Sequence, residues 1–325
     1  MRIAFCHHLS LSYYGGGEKW LVAVATELVK RGHDVEIYAL PFLLEGKPKV
    51  KPKELLEDIP YTEGVRHKVK ADVVYVTYHP LSWLNFETSR PRIAGVHAQS
   101  YWQPVNLRYG LKPNMANILH KTGGYFELRR FNAVHMVTSA YKISHPKVYY
   151  IPNFVDACKY KPVKEKDGTF TVAYSSRQVW QKGWDLFEST IQLLKRKMAS
   201  FNVKVTAGKV KESDMPEFLS SAHVSLLPSR VDTFGLAIVE SLLCETPVVT
   251  TPLITHHVLD LPLIYGSNPV EFACEILKLA ITWREKPDEF AQYVKYCRQE
   301  ALKYDKANVM NRIEGMFKEV YLGCE

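Results

Sequence analysis

Two basic and two acidic side chains in the C-terminal half form the strongest candidate for chemistry. Arg177 and Lys182 follow the apolar run at residues 170–175, and Asp232 and Glu240 stand eight positions apart around the start of a predicted helix. A guanidinium offers a planar pair of donors and an ammonium a mobile point charge, so both suit the oxygens of a diphosphate. Carboxylates about two helical turns apart would point in one direction. This combination indicates binding of a phosphorylated ligand.

The acidic pair depends on a predicted strand–helix–strand unit. Apolar residues 224–227 and the β-branched run 248–251 predict buried strands, and the helix between them begins at the turn of Phe234, Gly235 and Leu236. Free N–H groups and the positive end of the helix dipole meet at such a turn and favour an anion. The alternative is an ordinary strand–helix unit with acids on its surface, preceded by a basic surface turn.

A second glycine-containing turn lies in the N-terminal half. Residues 2–6, 18–31 and 35–40 have the pattern of a strand, a helix and a strand, and Gly16 and Gly17 lie at the turn between the first two. Because they lack side chains, these glycines would let a diphosphate approach the backbone. The turn is not G-x-G-x-x-G, which argues against a nicotinamide cofactor. The alternative is a turn that needs glycine only for its backbone angles.

Histidines and aromatic residues mark a further candidate region. His97 ends a predicted strand, and open parallel sheets bind their ligands at the carboxyl ends of strands. His7 and His8 follow the first strand in the same way. The aromatic-rich segment 101–125, ahead of a helix at 126–131, is expected to line a pocket in which its rings would stack on sugar rings or lipid chains. For each of these features the alternative is a structural role in hydrogen bonding or packing.

The composition is that of an ordinary α/β protein. Its 325 residues suffice for two domains, 46% of them are hydrophobic, and no run has the length and apolar character of a signal peptide or membrane span. Six scattered cysteines without a C-x-x-C pair predict a reduced, cytoplasmic protein with no metal site. The net charge of +8 suits phosphate-bearing ligands, and no nucleic-acid-binding motif accompanies it, so no nucleic acid partner is expected.

Four lysines, at positions 47, 49, 51 and 53, form a local concentration of positive charge. Such a cluster is able to attract an anionic membrane surface, which would make the protein peripheral to the inner face of the membrane. Pro48 and Pro52 interrupt the cluster. A solvated loop is therefore the favoured alternative.

Several motifs together resemble glycosyltransferase family 4. In that family an acid is followed by Phe-Gly-Leu and then by Glu eight positions after the acid, and here the motif runs from Asp232 to Glu240 as DTFGLAIVE. The spacing of Arg177 and Lys182, the Gly-Gly loop and the sequence IPNFVD at 151–156 also resemble the family pattern. This chain departs from the family pattern at three positions. Asp232 stands where the family normally has Glu, and Ser176 and Phe154 each stand where it has Gly.

The resemblance implies an α/β fold of two Rossmann-like domains facing each other across a cleft, known as GT-B. Residues 1–152 would form the acceptor-side domain and residues 153–304 the donor domain. A terminal helix at 305–325 would return to pack on the first domain. The implied activity is a retaining, metal-independent transfer of a sugar from a nucleotide-diphosphate sugar, without a cofactor.

The resemblance also implies a role for each candidate residue. Glu240 would hold the ribose hydroxyls of the nucleotide, Asp232 would bind hydroxyls of the transferred sugar, and His97 would contact the sugar or the acceptor. The other residues would neutralise the donor diphosphate with side-chain charge or backbone N–H groups: Arg177, Lys182, Gly16, Gly17, Phe234, Gly235 and Leu236.

The sequence leaves the substrates and two other functions open. Acceptors in the family include lipids, glycans, proteins and small molecules, and neither the base nor the sugar of the donor is determined. A sugar-nucleotide epimerase uses the same fold, but it needs additional acid/base carboxylates. A catalytically silent sugar-nucleotide-binding protein is the other alternative, because of the departures at Asp232, Ser176 and Phe154.

Overall fold

The chain folds into two compact α/β units. A computed structural model describes residues 1–42, 50–56, 58–97 and 111–323, without the side chains of residues 112, 113 and 116. Residues Met1–Pro152 and Met310–Glu325 form the N-terminal unit, and residues Asn153–Val309 form the C-terminal unit. The lysines at 47 and 49 and the segment 101–110 lie outside the described residues.

The N-terminal unit alternates strands with helices. In chain order its elements are β1 (Arg2–His7), α1 (Gly16–Lys30), β2 (Asp34–Ala39), α2 (Pro52–Leu56), β3 (Tyr61–Glu63), β4 (His67–Lys68), β5 (Val73–Thr77), β6 (Phe86–Glu87), β7 (Arg92–Val96), α3 (Leu111–Glu127), β8 (Ala133–Met136) and β9 (Val148–Tyr150).

The main sheet of this unit is parallel and buried at its centre. Among the described residues it has seven strands in the order β3-β2-β1-β5-β7-β8-β9, and β4 pairs with β6 separately. The central strands β1 and β5 are apolar because helices cover both faces of such a sheet. The strand order reverses between β1 and β5. Ligands bind outside the carboxyl ends of the strands at such a reversal.

The C-terminal unit repeats this plan on a smaller scale. Its elements are β10 (Thr171–Tyr174), α4 (Trp184–Lys197), β11 (Asn202–Val205), α5 (Met215–Ser220), β12 (Val224–Leu227), α6 (Leu236–Leu243), β13 (Val248–Thr250), α7 (Ile254–His257), β14 (Ile264–Tyr265), α8 (Pro269–Glu285) and α9 (Pro287–Ala301), followed by α10 (Lys306–Leu322).

The described part of the C-terminal unit contains one five-stranded parallel sheet, in the order β11-β10-β12-β13-β14. One apolar cluster includes α6, Phe234 and Cys297, and another includes β10, α4 and α8. The strand order reverses between β10 and β12. The loops that follow these two strands carry the predicted basic and acidic residues. The predicted α/β class with parallel sheets is confirmed.

The terminal helix α10 belongs to both units. Its first turn stays with the C-terminal unit, where the Lys306 Nζ lies 2.9 Å from Asp156 Oδ2 and the Ala157 N–H donates to Asp305. From Met310 onward the helix belongs to the N-terminal unit, where Phe317 packs against Phe5. The second domain boundary therefore lies five residues later than the predicted start at 305.

The region before β8 is helical over a longer span than predicted. Helix α3 covers residues 111–127 and a short helical turn covers Leu128–Arg130, whereas the sequence predicted a helix only around 126–131, after a polar, aromatic-rich segment that ended near residue 125. Gly123 lowers helix propensity by about 1 kcal/mol and so concealed the helix. In the structure Gly123 faces Pro80 closely enough that a Cβ would lie 3.4 Å from the Pro80 Cβ, so a small residue fits there.

The described helices include none with both the length and the apolar character needed to cross a membrane.

Candidate functional site

Lys182 and Asp232 form an ion pair at the strand-order reversal of the C-terminal unit. The Lys182 Nζ lies 2.8 Å from Asp232 Oδ2, and each side chain is less than one-fifth exposed. Lys182 stands in the loop after β10 and Asp232 in the loop after β12. Two loops that follow neighbouring parallel strands thus bring these opposite charges together.

Backbone packing fixes the loop that carries Lys182. Gly183 has a φ of +70°, and a Cβ on it would lie 1.9 Å from the Pro228 carbonyl oxygen. Glycine is therefore required both by the backbone angle and by the approach of the two loops. The buried Tyr174 hydroxyl lies 2.8 and 3.1 Å from the carbonyl oxygens of Arg177 and Lys182, so it holds both ends of the turn.

Further contacts join the two loops. The Arg230 N–H donates to the Gln181 carbonyl at 2.9 Å. The Arg230 guanidinium makes two hydrogen bonds to Asp185, of 2.6 and 2.7 Å, and lies over the Trp180 ring. A bidentate pair of this kind fixes geometry as well as charge. Sequence reasoning missed the positioning roles of Tyr174 and Arg230.

Asp232 organises the turn before α6. Its Oδ1 accepts hydrogen bonds from the N–H groups of Thr233 at 2.9 Å and Gly235 at 3.1 Å. Burial favours its neutral form, but the Lys182 charge and these donors outweigh burial, so the pKa of Asp232 is below its ordinary value. The Gly235 N–H is thus directed at Asp232, while the Leu236 N–H occupies the first helical position, which has no intrahelical acceptor.

His256, at the carboxyl end of β13, is a neighbour of this pair that sequence reasoning did not select. Its Nδ1 lies 3.0 Å from the Thr251 carbonyl, which only accepts, so Nδ1 carries the proton. Burial lowers the pKa of His256, and the charge of Asp232 acts in the opposite direction. Among the described residues its buried Nε2 has no hydrogen-bond partner. Its position after a buried strand was the available signal.

The ion pair of Lys182 and Asp232 does not include Arg177 or Glu240. The Arg177 side chain is exposed. Glu240, on α6, is hydrogen-bonded to the hydroxyl of Tyr160, whose pKa is raised by burial and by that carboxylate. The expected two helical turns between Asp232 and Glu240 do not exist, because Gly235 is left-handed (φ +88°) and the helix begins only at Leu236.

A chain of hydrogen bonds orients His97 in the N-terminal unit. The Tyr75 hydroxyl lies 2.7 Å from His97 Nε2 and 2.7 Å from His135 Nδ1. His135 Nε2 lies 2.8 Å from the Ile151 carbonyl. The ring of Trp20 packs against His97 with a centroid distance of 4.3 Å.

The Ile151 carbonyl, at one end of this series of hydrogen bonds, determines which atom carries each proton. The Ile151 carbonyl only accepts, so His135 Nε2 donates and its Nδ1 accepts from the Tyr75 hydroxyl. The Tyr75 oxygen then accepts from His97 Nε2–H, which leaves the His97 Nδ1 as an acceptor. Burial lowers the pKa of His97 well below its ordinary value and that of His135 to about 4, so both rings are neutral near pH 7.

Gly95 makes room for this chain. A Cβ at Gly95 would lie 2.0 Å from the Tyr75 hydroxyl oxygen. The glycine on β7 therefore allows a phenol from β5 to reach across the sheet towards both imidazoles. Sequence reasoning selected His97 but not Tyr75, His135 or Gly95, because nothing in the spacing of these residues shows that they converge.

The glycine loop lies at the strand-order reversal of the N-terminal unit. His7 Nε2 lies 2.7 Å from Glu18 Oε1 and its Nδ1 lies 2.6 Å from Thr77 Oγ1. Glu18 also accepts from the Gly15 N–H, which caps α1. Gly16 and Gly17 lie in the first turn of α1, and a Cβ on either would meet no atom within 4 Å. Packing does not require these glycines, and both have ordinary backbone angles.

Comparison with known proteins identifies the fold and a family match within the C-terminal unit. Residues 188–281 match the family model "Glycosyl transferases group 1". The matched segment contains Asp232, Glu240 and His256. No curated protein sequence matches the chain significantly.

Solved structures match over nearly the whole chain. A glycosyltransferase from Rickettsia africae has a TM-score of 0.75 at 14% identity and covers 98% of both chains. Sucrose-phosphate synthase from Thermosynechococcus elongatus has a TM-score of 0.73 at 12% identity, over 99% of this chain and 100% of that chain. Anabaena Alr3699/HepE, solved in complex with UDP and glucose, has a TM-score of 0.69 at 16% identity, over 98% and 100%.

These matches confirm the resemblance on which the sequence analysis relied. The structural neighbours establish the fold, and the family match lies in the unit that holds the Lys182–Asp232 pair. Residues 188–281 of the C-terminal unit match group 1 glycosyl transferases, and the chain has the GT-B fold of its structural neighbours.

Proposed function

We propose that the protein transfers a sugar from a nucleotide-diphosphate sugar and that Lys182 stabilises the departing diphosphate. The observation that carries this proposal is the Lys182–Asp232 pair at the strand-order reversal of a group 1 glycosyl transferase domain. An ammonium has three donors, and Asp232 takes one of those of Lys182. Among the described residues Lys182 makes no second ion pair, so two donors remain for phosphate oxygens, which gain negative charge as the glycosidic bond breaks.

Asp232 has two roles in this proposal. It holds the Lys182 ammonium in position, and its Oδ1 orders the turn before α6. Its carboxylate would bind hydroxyls of the transferred sugar, as the family resemblance implies. Because Asp232 takes the Gly235 N–H, the Leu236 N–H is the better candidate among the predicted backbone donors to the diphosphate.

Arg177 and Glu240 would act on other parts of the donor. The exposed Arg177 guanidinium is free to move towards phosphate oxygens. Glu240 is held by the Tyr160 hydroxyl and would present its carboxylate to the ribose hydroxyls of the nucleotide. The open backbone at Gly16 and Gly17 would receive a diphosphate without a steric clash.

His97 would act as a hydrogen-bond acceptor. Its Nε2 proton is committed to Tyr75, so the lone pair on Nδ1 is the group that a sugar or acceptor hydroxyl would meet. The low pKa of His97 keeps this lone pair available near neutral pH. A neutral imidazole of this kind orients a hydroxyl and does not donate a proton to a leaving group.

We further propose that transfer retains anomeric configuration and needs neither a metal nor a cofactor, as the family resemblance implies. The Anabaena neighbour was solved with UDP and with UDP-glucose, so UDP-glucose is the first donor to test. The acceptor class stays open among lipids, glycans, proteins and small molecules. A cytoplasmic location and contact with a membrane surface through the lysine cluster remain proposals. Within that cluster, the described Lys51 pairs with Glu54.

The test is incubation of the purified protein with a panel of nucleotide sugars in the presence of a chelator. Each donor is tested with and without extracts that contain candidate acceptors. Free nucleotide diphosphate that appears only with an acceptor supports transfer. An isomerised donor would instead show an epimerase, and binding without turnover would show a silent binding protein. Lys182→Met should abolish turnover, whereas Lys195→Met, on an exposed face of α4, should not change it.

A further inference from the structure

Helix α3 has the reverse polarity of a helix that packs in a water-soluble protein. Its buried positions include Asn114, Asn117 and His120. Its large apolar side chains are exposed and recur at helical spacing: Leu111, Met115, Ile118, Leu119, Tyr125 and Phe126. Helices on a soluble domain normally bury the apolar face. The inverted arrangement indicates that this face meets an apolar medium.

A short helical turn extends this apolar face. Leu81 and Leu84 lie in or beside the turn Ser82–Asn85 and are 63% and 60% exposed. Between them, the Trp83 indole N–H donates to Glu127 Oε2 at the end of α3, at 3.0 Å. The Leu81 N–H donates to the same oxygen at 3.1 Å. The turn and the helix therefore form one surface, which we call the α3 face.

Positive charge borders the α3 face. The Arg129 guanidinium lies over the Tyr125 ring, and the Arg92 and Arg130 guanidinium groups lie over the Trp83 ring. Arg90, Arg92 and Arg130 also line a cavity of about 400 Å³. Among the described residues these three arginines have no ion pair with a carboxylate.

The carboxylates of Glu127 and Asp72 on this surface accept hydrogen bonds from neutral donors. Glu127 is the acidic residue in the sequence from 111 to 130. Its Oε2 accepts hydrogen bonds from the Tyr78 hydroxyl, the Leu81 N–H and the Trp83 indole. In the cavity, the Asp72 carboxylate accepts from the Arg2 N–H. The surface therefore combines exposed apolar groups with guanidinium groups that lack an anionic partner.

We propose that the α3 face docks onto the surface of an anionic lipid membrane. An amphipathic helix that lies in the interface inserts its apolar side chains at the boundary of headgroups and acyl chains. The bordering arginines would meet lipid phosphates, and each basic side chain near such a surface contributes to binding. The inference does not depend on the identity of the sugar donor.

The test is co-sedimentation of the purified full chain with vesicles of phosphatidylcholine alone and of phosphatidylcholine with phosphatidylglycerol. The wild type should bind the phosphatidylglycerol vesicles, and added salt should weaken binding. The double variant Leu119→Gln/Phe126→Gln should bind at least about tenfold more weakly. Arg129→Gln/Arg130→Gln should lose about fivefold per arginine.

Matched controls separate this effect from general loss of surface hydrophobicity or charge. Val270→Gln/Ile281→Gln removes two similarly exposed apolar groups from α8, and Lys195→Gln/Arg196→Gln removes two exposed charges from α4. Both controls should bind vesicles like the wild type. Equal binding by the α3 variants and the wild type would overturn the proposal. So would a dimer by light scattering that Leu119→Gln/Phe126→Gln dissociates, because the face would then pair two copies of the chain.

Discussion

The carboxyl edges of the two sheets share a plan, but one carries neutral groups and the other carries a pair of charged groups. In the N-terminal unit, Tyr75 joins two imidazoles that burial keeps neutral. In the C-terminal unit, Lys182 and Asp232 are both charged and only 2.8 Å apart. One edge therefore presents a neutral hydrogen-bond acceptor, and the other presents an ion pair whose ammonium has further donors for an anion.

In both units a glycine makes the constellation possible. Gly95 lets the Tyr75 hydroxyl reach across β7, and Gly183 lets the Lys182 loop touch the Pro228 carbonyl. The clashes that a Cβ would create, at 2.0 and 1.9 Å, are nearly equal. The comparison shows that close backbone approach is common to the two edges, while the side chains that it brings together determine the chemistry.

Among the substitutions that test this comparison, Gly183→Ala should have the largest effect on stability. The new Cβ would meet a backbone carbonyl in a left-handed conformation, so the free energy of unfolding of the C-terminal unit should fall by about 3 kcal/mol, and diphosphate binding should be lost. Gly208→Ala is the matched control, since Gly208 has nearly the same φ, +71°, and a Cβ there meets nothing within 4 Å. It should cost only about 1 kcal/mol. Denaturant unfolding measures both, and equal losses would refute the role of the Pro228 contact.

The neutral imidazoles predict acid lability of the N-terminal unit. His135 has a pKa of about 4 when folded and an ordinary value of 6.5, so the unfolded state binds a proton that the native state does not. The free energy of unfolding should therefore fall by roughly 2–3 kcal/mol as the pH drops from about 6.5 to about 4.

Calorimetry of His135→Gln over this pH range checks the assignment. The variant should show a shallower decline with acid than the wild type, whereas His257→Gln, at an exposed position, should decline like the wild type. If His135→Gln kept the full wild-type slope, the neutral chain through Tyr75 would not be the source of the lability.

Asp232→Asn and Asp232→Ala should separate charge from turn geometry, with the smallest effect on stability. Asparagine keeps an oxygen that accepts from Thr233 and Gly235, whereas alanine loses both hydrogen bonds and should cost about 1 kcal/mol more. Both should lose turnover, because both remove the negative charge beside Lys182. Thermal unfolding and the transfer assay measure the two effects, and equal stability would show that Oδ1 does not support the turn.

Much of the fold followed from the sequence because its strands and helices have strong apolar periodicity. The strand 224–227, the helix after Gly235 and the strand from 248 were predicted within one residue. Helix α3 was predicted only at its end, because Gly123 and Gly124 interrupt its pattern and lower helix propensity.

The candidate site was predictable only in part. Position after predicted strands, together with the family resemblance, selected Lys182 and Asp232. It did not show that Asp232 would use the Gly235 N–H, that Glu240 would pair with Tyr160, or that His256 would lie beside the acid. Those facts depend on the position of the left-handed Gly235 before α6 and on the directions of side chains, and the sequence pattern does not specify either.

The central claim is that positive charge at the strand-order reversal of the C-terminal unit binds a nucleotide diphosphate. Isothermal titration calorimetry with UDP, in the presence of a chelator, tests this claim most directly. The proteins compared are the wild type, Lys182→Met and the control Lys195→Met. The account predicts binding by the wild type and by Lys195→Met, and at least about tenfold weaker binding by Lys182→Met, because a charge-assisted hydrogen bond is lost. Undiminished affinity in Lys182→Met, or binding that appears only when magnesium or manganese is added, would contradict it.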